Sequence, residues 1–346
     1  MKKLLLWIVV LVLSISMVAA FSLYGCKPAE EAAAPAEEEV AEEEAPAEEA
    51  PAEEAESDFF VAYIAKNTVD VFHQTLNTAA QIALDALVAN GEIGSWQLYD
   101  GLTDPVTQVN LVEDAINMGA DLVIVLPAEA AGSAPVVSRC AEENIPCIVV
   151  NSTTENTSEL ATAYVGSDDV QAGEMMAKFV QEQLPDGGGY GHIQGVLGNS
   201  AQISRGEGIH NILDSDEKWT LLDGCEQTGE WQAEKAVKFA EDWLAKYGEE
   251  LNAIICDNDD MSSAVQTSMN TAGRSDIVCI GVDGNKGPMT MVQNGELLAT
   301  ILQDGAAQVT TAIELGNKVL HGEEVAKETM IDFVLITIDN VGQYLK

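Results

Sequence analysis

The chain has 346 residues, enough for two domains with separate hydrophobic cores. Its formal net charge is -41, from 57 acidic and 16 basic side chains. Such a field repels nucleic acids and anionic lipid headgroups, so neither is an expected binding partner.

The amino terminus predicts export. A basic start at residues 1–3 precedes an almost wholly apolar run over residues 4–20, which is typical of a secretory signal peptide, here residues 1–25. Cys26 resembles the lipid-modified first residue of bacterial lipoproteins and is the candidate lipidation site. An uncleaved membrane helix is the alternative, because the apolar run is at the short edge of spanning length. Both interpretations place the rest of the chain outside the cytoplasm.

Residues 26–57 are a low-complexity segment of Glu, Ala and Pro, with thirteen glutamates and no Lys or Arg in residues 29–57. Such a segment has almost nothing apolar to bury, and its like charges repel each other. We therefore expect a disordered acidic tether, which begins at the lipidated Cys26. A binding role for this segment is the weaker alternative.

Strands and helices alternate from residue 59 to Asn151. Apolar residues recur at helical spacing over residues 70–89, and this helix ends at the stop signal Asn90-Gly91. The predicted strands are 59–65, 96–99, 121–126 and 146–150, and the predicted helices are 70–89, 105–118 and 134–143. A polar stretch over residues 152–159 ends this first series.

A second series of the same kind follows, with a turn at residues 187–189. Its predicted strands are 191–197, 221–225, 253–256, 277–282, 297–302 and 330–338, and its helices are 170–184, 201–213, 231–247, 261–272 and 308–320. This alternation indicates parallel sheets with right-handed crossovers. The predicted fold class is α/β, with two doubly wound parallel-sheet, Rossmann-like domains. A single (β/α) barrel is the alternative, disfavoured because the polar stretch divides the chain into halves.

Five cysteines remain beyond Cys26, an odd number without a CxxC pair. Three of them, Cys147, Cys256 and Cys279, lie in apolar strand-like runs. We expect buried free thiols, and a bridge between Cys256 and Cys279 is the alternative.

Signatures of catalysis and of metal binding are missing. None of the four histidines lies at metal-ligand spacing from another, and no lysine-containing phosphate loop is present. Residues 198–202 begin like a nucleophile elbow but lack its closing glycine. Residues 187–191 precede a strand instead of following one, so they form no dinucleotide loop. We therefore predict a protein that is not an enzyme and has no metal site and no cofactor.

Polar and aromatic side chains gather at the carboxyl ends of the predicted strands, where open α/β sheets bind their ligands. Asp283 ends a buried strand at an Asp-Gly turn and is the first candidate. Taken singly, such residues are as easily helix caps or turn residues, as Asp70 and Asp260 illustrate. Together they suit a neutral, polyhydroxylated ligand, because carboxylates and amides bind hydroxyls and rings cover apolar sugar faces. The predicted binding residues are Asn67, Asp70, Phe72, Asn151, Gln202, Trp231, Asn258, Asp283 and Gln303.

Five segments carry a resemblance to the periplasmic monosaccharide-binding proteins of ABC transporters, of the ribose and glucose/galactose type. They are VEDAINMGADLVIVLP, ENIPCIVVN, SRGEGI, CDNDDM and VDGNKGPMTMVQNGELLATILQD. The resemblance implies a type I periplasmic-binding-protein fold, with two lobes, a hinge of three chain crossings and a cleft between. The implied lobes are residues 58–166 with 304–331, and residues 167–303 with 332–346.

The resemblance also implies roles for the candidate residues. Phe72 and Trp231 match the aromatic residues that stack on the two faces of the sugar ring. Asn258 and Asp283 match the hydroxyl-binding pair of the second lobe, and Gln303 matches an amide beside the hinge.

Other positions bear on the identity of the sugar. Asp70 and Asn151 match the glucose/galactose members, whereas the chain has Ser152 and Ile203, beside Gln202, where relatives have arginine. The calcium loop of the glucose/galactose members is not visible. An aldohexose such as glucose or galactose is therefore favoured, with a pentose or a polyol as alternatives.

The implied function is that of an extracytoplasmic solute-binding lipoprotein. It would capture a neutral monosaccharide by hinge closure and deliver it to an ABC transporter permease. The alternative is a sensory receptor for a sugar or a furanosyl signal that acts on a chemoreceptor or a kinase. We expect a monomer in the periplasm or on the outer face of the cell membrane, with a lipid anchor as its only membrane contact.

Overall fold

The computed structural model describes residues 57–345. The predicted signal peptide, the lipidation site Cys26 and the tether, apart from Ser57, lie outside the described residues. No helix among residues 57–345 is both long enough and apolar enough to cross a membrane.

The first lobe is built on a six-stranded parallel sheet with the order β12-β5-β4-β3-β1-β2. Successive side chains of a strand point to opposite faces, so Tyr63 and Ile64 pack into different cores. The strands are β1 (Phe60–Ala65), β2 (Ser95–Asp100), β3 (Leu122–Val125), β4 (Cys147–Asn151), β5 (Ala163–Gly166) and β12 (Glu328–Met330).

Helices cover both faces of this sheet. Helices α1 (Val71–Ala89) and α10 (Gly305–Leu320) contribute to the core on one face, and α2 (Pro105–Asn117) and α3 (Ala134–Glu142) to the core on the other. The short helix α4 (Thr157–Leu160) precedes β5. This layering is the doubly wound arrangement that the alternation of elements predicts.

The second lobe contains a four-stranded parallel sheet with the order β7-β6-β8-β9 and a three-stranded sheet with the order β10-β11-β13. Strand β13 runs antiparallel to β11, whereas the sequence predicted parallel pairing throughout. The strands are β6 (Gly188–Gln194), β7 (Trp219–Thr228), β8 (Leu251–Cys256), β9 (Val278–Ile280), β10 (Val282–Asp283), β11 (Ala299–Leu302) and β13 (Val334–Thr337).

Two cores enclose the sheets of the second lobe. One contains residues of α7 (Ala233–Tyr247), α8 (Asp259–Thr271) and α9 (Lys286–Asn294), and the other contains residues of α5 (Asp169–Gln183) and α6 (Ser200–Leu213). A 3₁₀ turn (Gly248–Glu250) precedes β8, and the short helix α11 (Val341–Tyr344) lies near the end of the chain.

The chain passes between the lobes three times, between β5 and α5, between β11 and α10, and between β12 and β13. The Ser167 hydroxyl accepts a hydrogen bond from Gln308 Nε2 (2.7 Å) and donates to the carbonyl of Ile331 (2.6 Å). These two bonds join all three crossings.

Four predictions of elements were wrong. The predicted strand over residues 277–282 divides into β9 and β10, which lie in different sheets. The predicted strand over residues 330–338 is two strands in different sheets, because the third crossing lies within it. Strand β5 and helix α4 were missed, since the polar residues that precede β5 resemble a long loop. Strand β6 begins at Gly188, inside the predicted turn. The open sheets exclude the barrel alternative.

The five cysteines of the described chain are buried and free, as the apolar surroundings predicted. Cys256 and Cys279 lie on the neighbouring strands β8 and β9, but Ile254, not Cys256, is the register partner of Cys279. The bridge alternative is therefore not formed.

Candidate functional site

A cavity lies where carboxyl ends of strands from both lobes meet. It is lined mostly by polar side chains, with two aromatic residues among them. The first lobe contributes Lys66, Asp70, Phe72, His73, Asn151 and Ser152, and the second contributes Asn199, Ala201, Arg205, Trp231, Asn258, Asp260, Asp283 and Gln303.

Most of the first-lobe wall is formed by the segment from the end of β1 into the start of α1. Asp70 precedes α1 without capping it, because its side chain accepts no bond from the helix backbone. Instead, Asp70 Oδ2 accepts a bond from Asn67 Nδ2 (2.6 Å), and Asn67 also donates to the hydroxyl of Thr103 (2.9 Å). Asn67 therefore holds Asp70 in place without lining the cavity.

The second-lobe wall places Asn258 beside Asp283. Asn258 caps α8 by accepting a bond from the Met261 backbone at 3.2 Å. Asp283 Oδ2 accepts a bond from Asn285 Nδ2 at 3.1 Å. Burial raises the pKa of the Asp283 carboxyl well above its ordinary value, and the neighbouring charge of Asp259 adds to the rise.

Trp231 lies over Gly195, the residue after β6. A Cβ added at Gly195 would lie 2.1 Å from Cη2 and Cζ2 of the Trp231 ring, so only glycine admits the indole there. Trp231 has a φ of 64°, Asn151 of 68° and Asp283 of 144°. Positive φ in non-glycine residues is strained, and it clusters at binding sites where surrounding structure enforces it.

Arg205 supports the second-lobe wall from a buried position. Its guanidinium donates to the carboxylate of Asp169 (2.9 Å), to the carbonyl of Asp257 (2.6 Å) and to Oε1 of Gln303 (3.2 Å). The other polar atom of this side chain, Gln303 Nε2, is buried without a partner in the described part of the chain.

Lys66 is 4 % exposed, and its ammonium lies 5.2 Å from the centroid of the Trp231 ring. Within residues 57–345 it has neither a hydrogen-bond acceptor nor an ion-pair partner. Burial lowers the pKa of Lys66 to about 8, against the opposing effect of Asp70. Burial also lowers the pKa of His73 well below its ordinary value, with help from the charge of Lys66, so His73 is neutral.

Unpartnered nitrogen atoms are concentrated at this cavity. Three nitrogen atoms at the cavity are buried without a hydrogen-bond partner within the described chain: Trp231 Nε1, Gln303 Nε2 and His73 Nδ1. The buried Lys66 ammonium has no partner there either. Because a buried polar atom without a partner costs about 1–3 kcal/mol, such a concentration is expected where a ligand supplies the partners.

The cavity brings together seven of the nine predicted residues: Asp70, Phe72, Asn151, Trp231, Asn258, Asp283 and Gln303. The other two, Asn67 and Gln202, do not line it. Asn67 is held by Asp70 and Thr103, and Gln202 accepts a bond from the Gly198 backbone at 3.1 Å.

Several lining residues were missed, of which Lys66 and Arg205 are the most consequential. Lys66 stands at the carboxyl end of β1, a position that already singled out its neighbour Asn67. Arg205 lies inside α6, and its sequence position gives no sign that it reaches the cavity.

The sequence matches the family model of the periplasmic binding protein domain over residues 61–324. The chain belongs to this family. The xylitol-binding protein of Mycolicibacterium smegmatis is 30% identical over 238 residues, which is 69% of this chain and 67% of the relative. The putative rhizopine-binding protein of Rhizobium meliloti is 29% identical over 252 residues, which is 72% of this chain and 81% of the relative.

The fold of this periplasmic binding protein is also that of solved relatives. An ABC transporter solute binding protein from Bacillus halodurans C-125, with bound myo-inositol, has a TM-score of 0.78 at 25% identity. The match covers 84% of this chain and 98% of the solved one. The predicted type I fold is thereby confirmed.

Proposed function

We propose that this protein captures a neutral, hydroxyl-rich small molecule outside the cytoplasm and delivers it to an ABC transporter permease. The ligand class is a monosaccharide or a polyol. The observation that carries the proposal is the cavity between the lobes, where aromatic rings, carboxylates and unpartnered N–H donors face the same space.

The mixed wall of the cavity favours a ligand without formal charge. Carboxylates of Asp70, Asp260 and Asp283 stand near the cations Lys66 and Arg205, so a charged ligand would meet a like charge in either orientation. Hydroxyl groups both donate and accept, which matches carboxylate oxygens and N–H donors alike. Relatives named for xylitol, rhizopine and ribose support the same class.

An aldohexose such as glucose or galactose is the first ligand to test. Asp70 and Asn151, the residues that favoured it, line the same cavity. Pentoses and polyols are the closest competitors, since one solved relative has myo-inositol bound. A sensory role through a chemoreceptor or a kinase is the alternative use of the same cleft.

We also propose that ligand binding closes the two lobes, residues 58–166 with 304–331 and residues 167–303 with 332–346, about the three crossings. The signal at residues 1–25 and the lipidated Cys26 would keep the protein, as a monomer, at the outer face of the membrane. Mass spectrometry of the amino-terminal peptide of the exported protein tests the lipid directly.

A melting-temperature screen of the full-length protein against aldohexoses, pentoses, polyols and nucleosides tests the ligand class. We expect at least one sugar or polyol to raise the melting temperature and calorimetry to give one site per chain. Asp283→Ala should abolish this shift while the ligand-free variant stays folded. Equal shifts in variant and parent, or no shift with any hydroxylated compound, would overturn the proposal.

A further inference from the structure

Two histidines and a glutamate that do not line the ligand cavity meet in the second lobe. Glu226 Oε1 lies 3.1 Å from His192 Nδ1 and 2.8 Å from His210 Nε2. The three residues come from β6, α6 and β7, and their ligating atoms all lie within 4.8 Å of one another. We propose that His192, His210 and Glu226 bind a divalent transition-metal ion of the zinc type.

The outer nitrogen of each imidazole faces a carboxylate. His192 Nε2 lies 2.8 Å from Asp257 Oδ1, and His210 Nδ1 lies 3.1 Å from Asp214 Oδ2. A carboxylate accepts a hydrogen bond, so it places the proton on the outer nitrogen and leaves the inner nitrogen to bind metal. Metal-ligating histidines in proteins are oriented by the same carboxylate partners.

Two of the three spacings among the ligand atoms are close to what zinc requires, and the third, between the two nitrogens, is within 4.8 Å. Zinc binds nitrogen and oxygen at about 2.0–2.1 Å, so atoms around a tetrahedral ion lie ~3.3 Å apart. The two N···O distances here are 3.1 and 2.8 Å, and a few tenths of an ångström of expansion would admit the ion. Imidazole and carboxylate ligands suit zinc, copper or nickel better than magnesium or calcium.

An ion can reach this cluster from solvent. The side chains of His210 and Glu226 are 31% and 33% exposed, whereas His192 is fully buried. Three protein ligands on one side and solvent on the other leave a coordination position for water.

Protons compete with the metal for this cluster. Burial lowers the pKa of His192, but Asp257 and Glu226 outweigh it and raise the pKa to about 9. Hydrogen bonds from His192 and His210 lower the pKa of Glu226. The alternative is a cluster without metal, in which His192 and His210 donate hydrogen bonds to Glu226. A measurement of metal binding distinguishes this cluster from a metal site. The cluster has no sequence motif, because its members are brought together by the pairing of β6 with β7 and by helix α6, not by their spacing along the chain.

Metal titration of the full-length protein tests the site. The chain is first stripped with chelator, then titrated with Co²⁺ followed by absorbance and with Zn²⁺ followed by calorimetry, in a weak competing chelator. The competitor suppresses binding by the glutamates of residues 29–57, which every variant retains. We expect one equivalent of Co²⁺ with the intense visible bands of tetrahedral coordination, displaced by Zn²⁺.

Variants separate this site from other binding. Glu226→Gln, which conserves shape, and His210→Ala should weaken Zn²⁺ binding at least ~100-fold, and Asp214→Asn should weaken it ~10-fold through loss of orientation. His321→Ala, which removes an exposed histidine elsewhere, should change nothing. Circular dichroism confirms that each variant is folded. Equal Zn²⁺ affinity in parent, Glu226→Gln and His210→Ala would overturn the proposal, as would an octahedral Co²⁺ spectrum in the parent.

Discussion

Lys66 is a charged residue that is buried without a partner among residues 57–345, and this burial has a stability cost. The pKa of Lys66 falls from 10.5 to about 8 on folding. The unfolded chain therefore binds the proton more tightly, so the free energy of unfolding rises as pH increases from about 8 towards 10.5. The full change is on the order of 3 kcal/mol.

Lys66→Met should remove that pH dependence. We expect the ligand-free variant to be more stable than the parent at pH 7.5 and to lack the rise in stability towards pH 10, because methionine fills the space without a charge to desolvate. Urea unfolding of both proteins at the two pH values measures the difference. Lys238→Met, at an exposed position of α7, serves as the control and should follow the parent. A variant with the pH dependence of the parent would show that Lys66 is solvated.

The Trp231 indole lines the cavity, and within residues 57–345 its Nε1 atom is buried without a hydrogen-bond partner. Trp231→Ala should weaken binding of the ligand identified by the melting screen by ~10-fold or more, from lost stacking and apolar contact. Trp231→Phe keeps a ring and loses the donor, so its affinity should lie between those of the parent and Trp231→Ala. Calorimetry on the three proteins decides, and an unchanged affinity in Trp231→Ala would remove Trp231 from the site.

At the scale of elements, the end of β6 sets the position of Trp231. Gly195→Ala would place a methyl group inside the indole ring, which must then move. We expect ligand affinity to fall ~10-fold or more, with near-ultraviolet circular dichroism reporting the displaced indole. Gly287→Ala is the matched control, because a Cβ there meets no atom within 4 Å. Normal affinity in Gly195→Ala would show that the position of Trp231 does not depend on this glycine.

Strand ends were the informative elements for predicting the site. The carboxyl ends of parallel strands share one edge of a sheet, and this rule alone placed Asn151, Asn258 and Asp283 together. The rule fails for Arg205, which lies inside a helix and donates a hydrogen bond to Asp169 of α5. It fails equally for the His192 cluster, in which the pairing of β6 with β7 joins His192 to Glu226 and helix α6 adds His210.

The direction of β13 was beyond sequence reasoning for a related reason. An apolar run shows that a strand is buried but not which sheet it joins or in which direction. Here the third crossing returns the chain to the second lobe, and β13 pairs with β11 in the antiparallel sense. The local hydrophobic pattern therefore predicted the strand and helix layers of both lobes, whereas the sheet and the direction of β13 depend on long-range pairing with β11.

At the scale of the whole molecule, the start of α6 joins the lobes across the mouth of the cavity. Asn199 Nδ2 donates to the carbonyl of Ala128 at 2.9 Å, and the Thr153 backbone donates to the hydroxyl of Ser200 at 2.9 Å. The Ala130 backbone also donates to the carbonyl of Gly198 at 2.9 Å. These three bonds cross from one lobe to the other, so a movement that separates the lobes would break them.

Ser200→Ala should shift the molecule towards the open arrangement without touching the ligand. Loss of one hydrogen bond costs about 1 kcal/mol, which lowers the apparent ligand affinity ~5-fold because closure becomes less favourable. Ser215→Ala, near the other end of α6, removes a hydroxyl bond that stays within one lobe and should leave affinity unchanged. Calorimetry gives the affinity, and small-angle X-ray scattering should show a larger ligand-free radius of gyration for Ser200→Ala. If both quantities match those of the parent, closure does not depend on this contact.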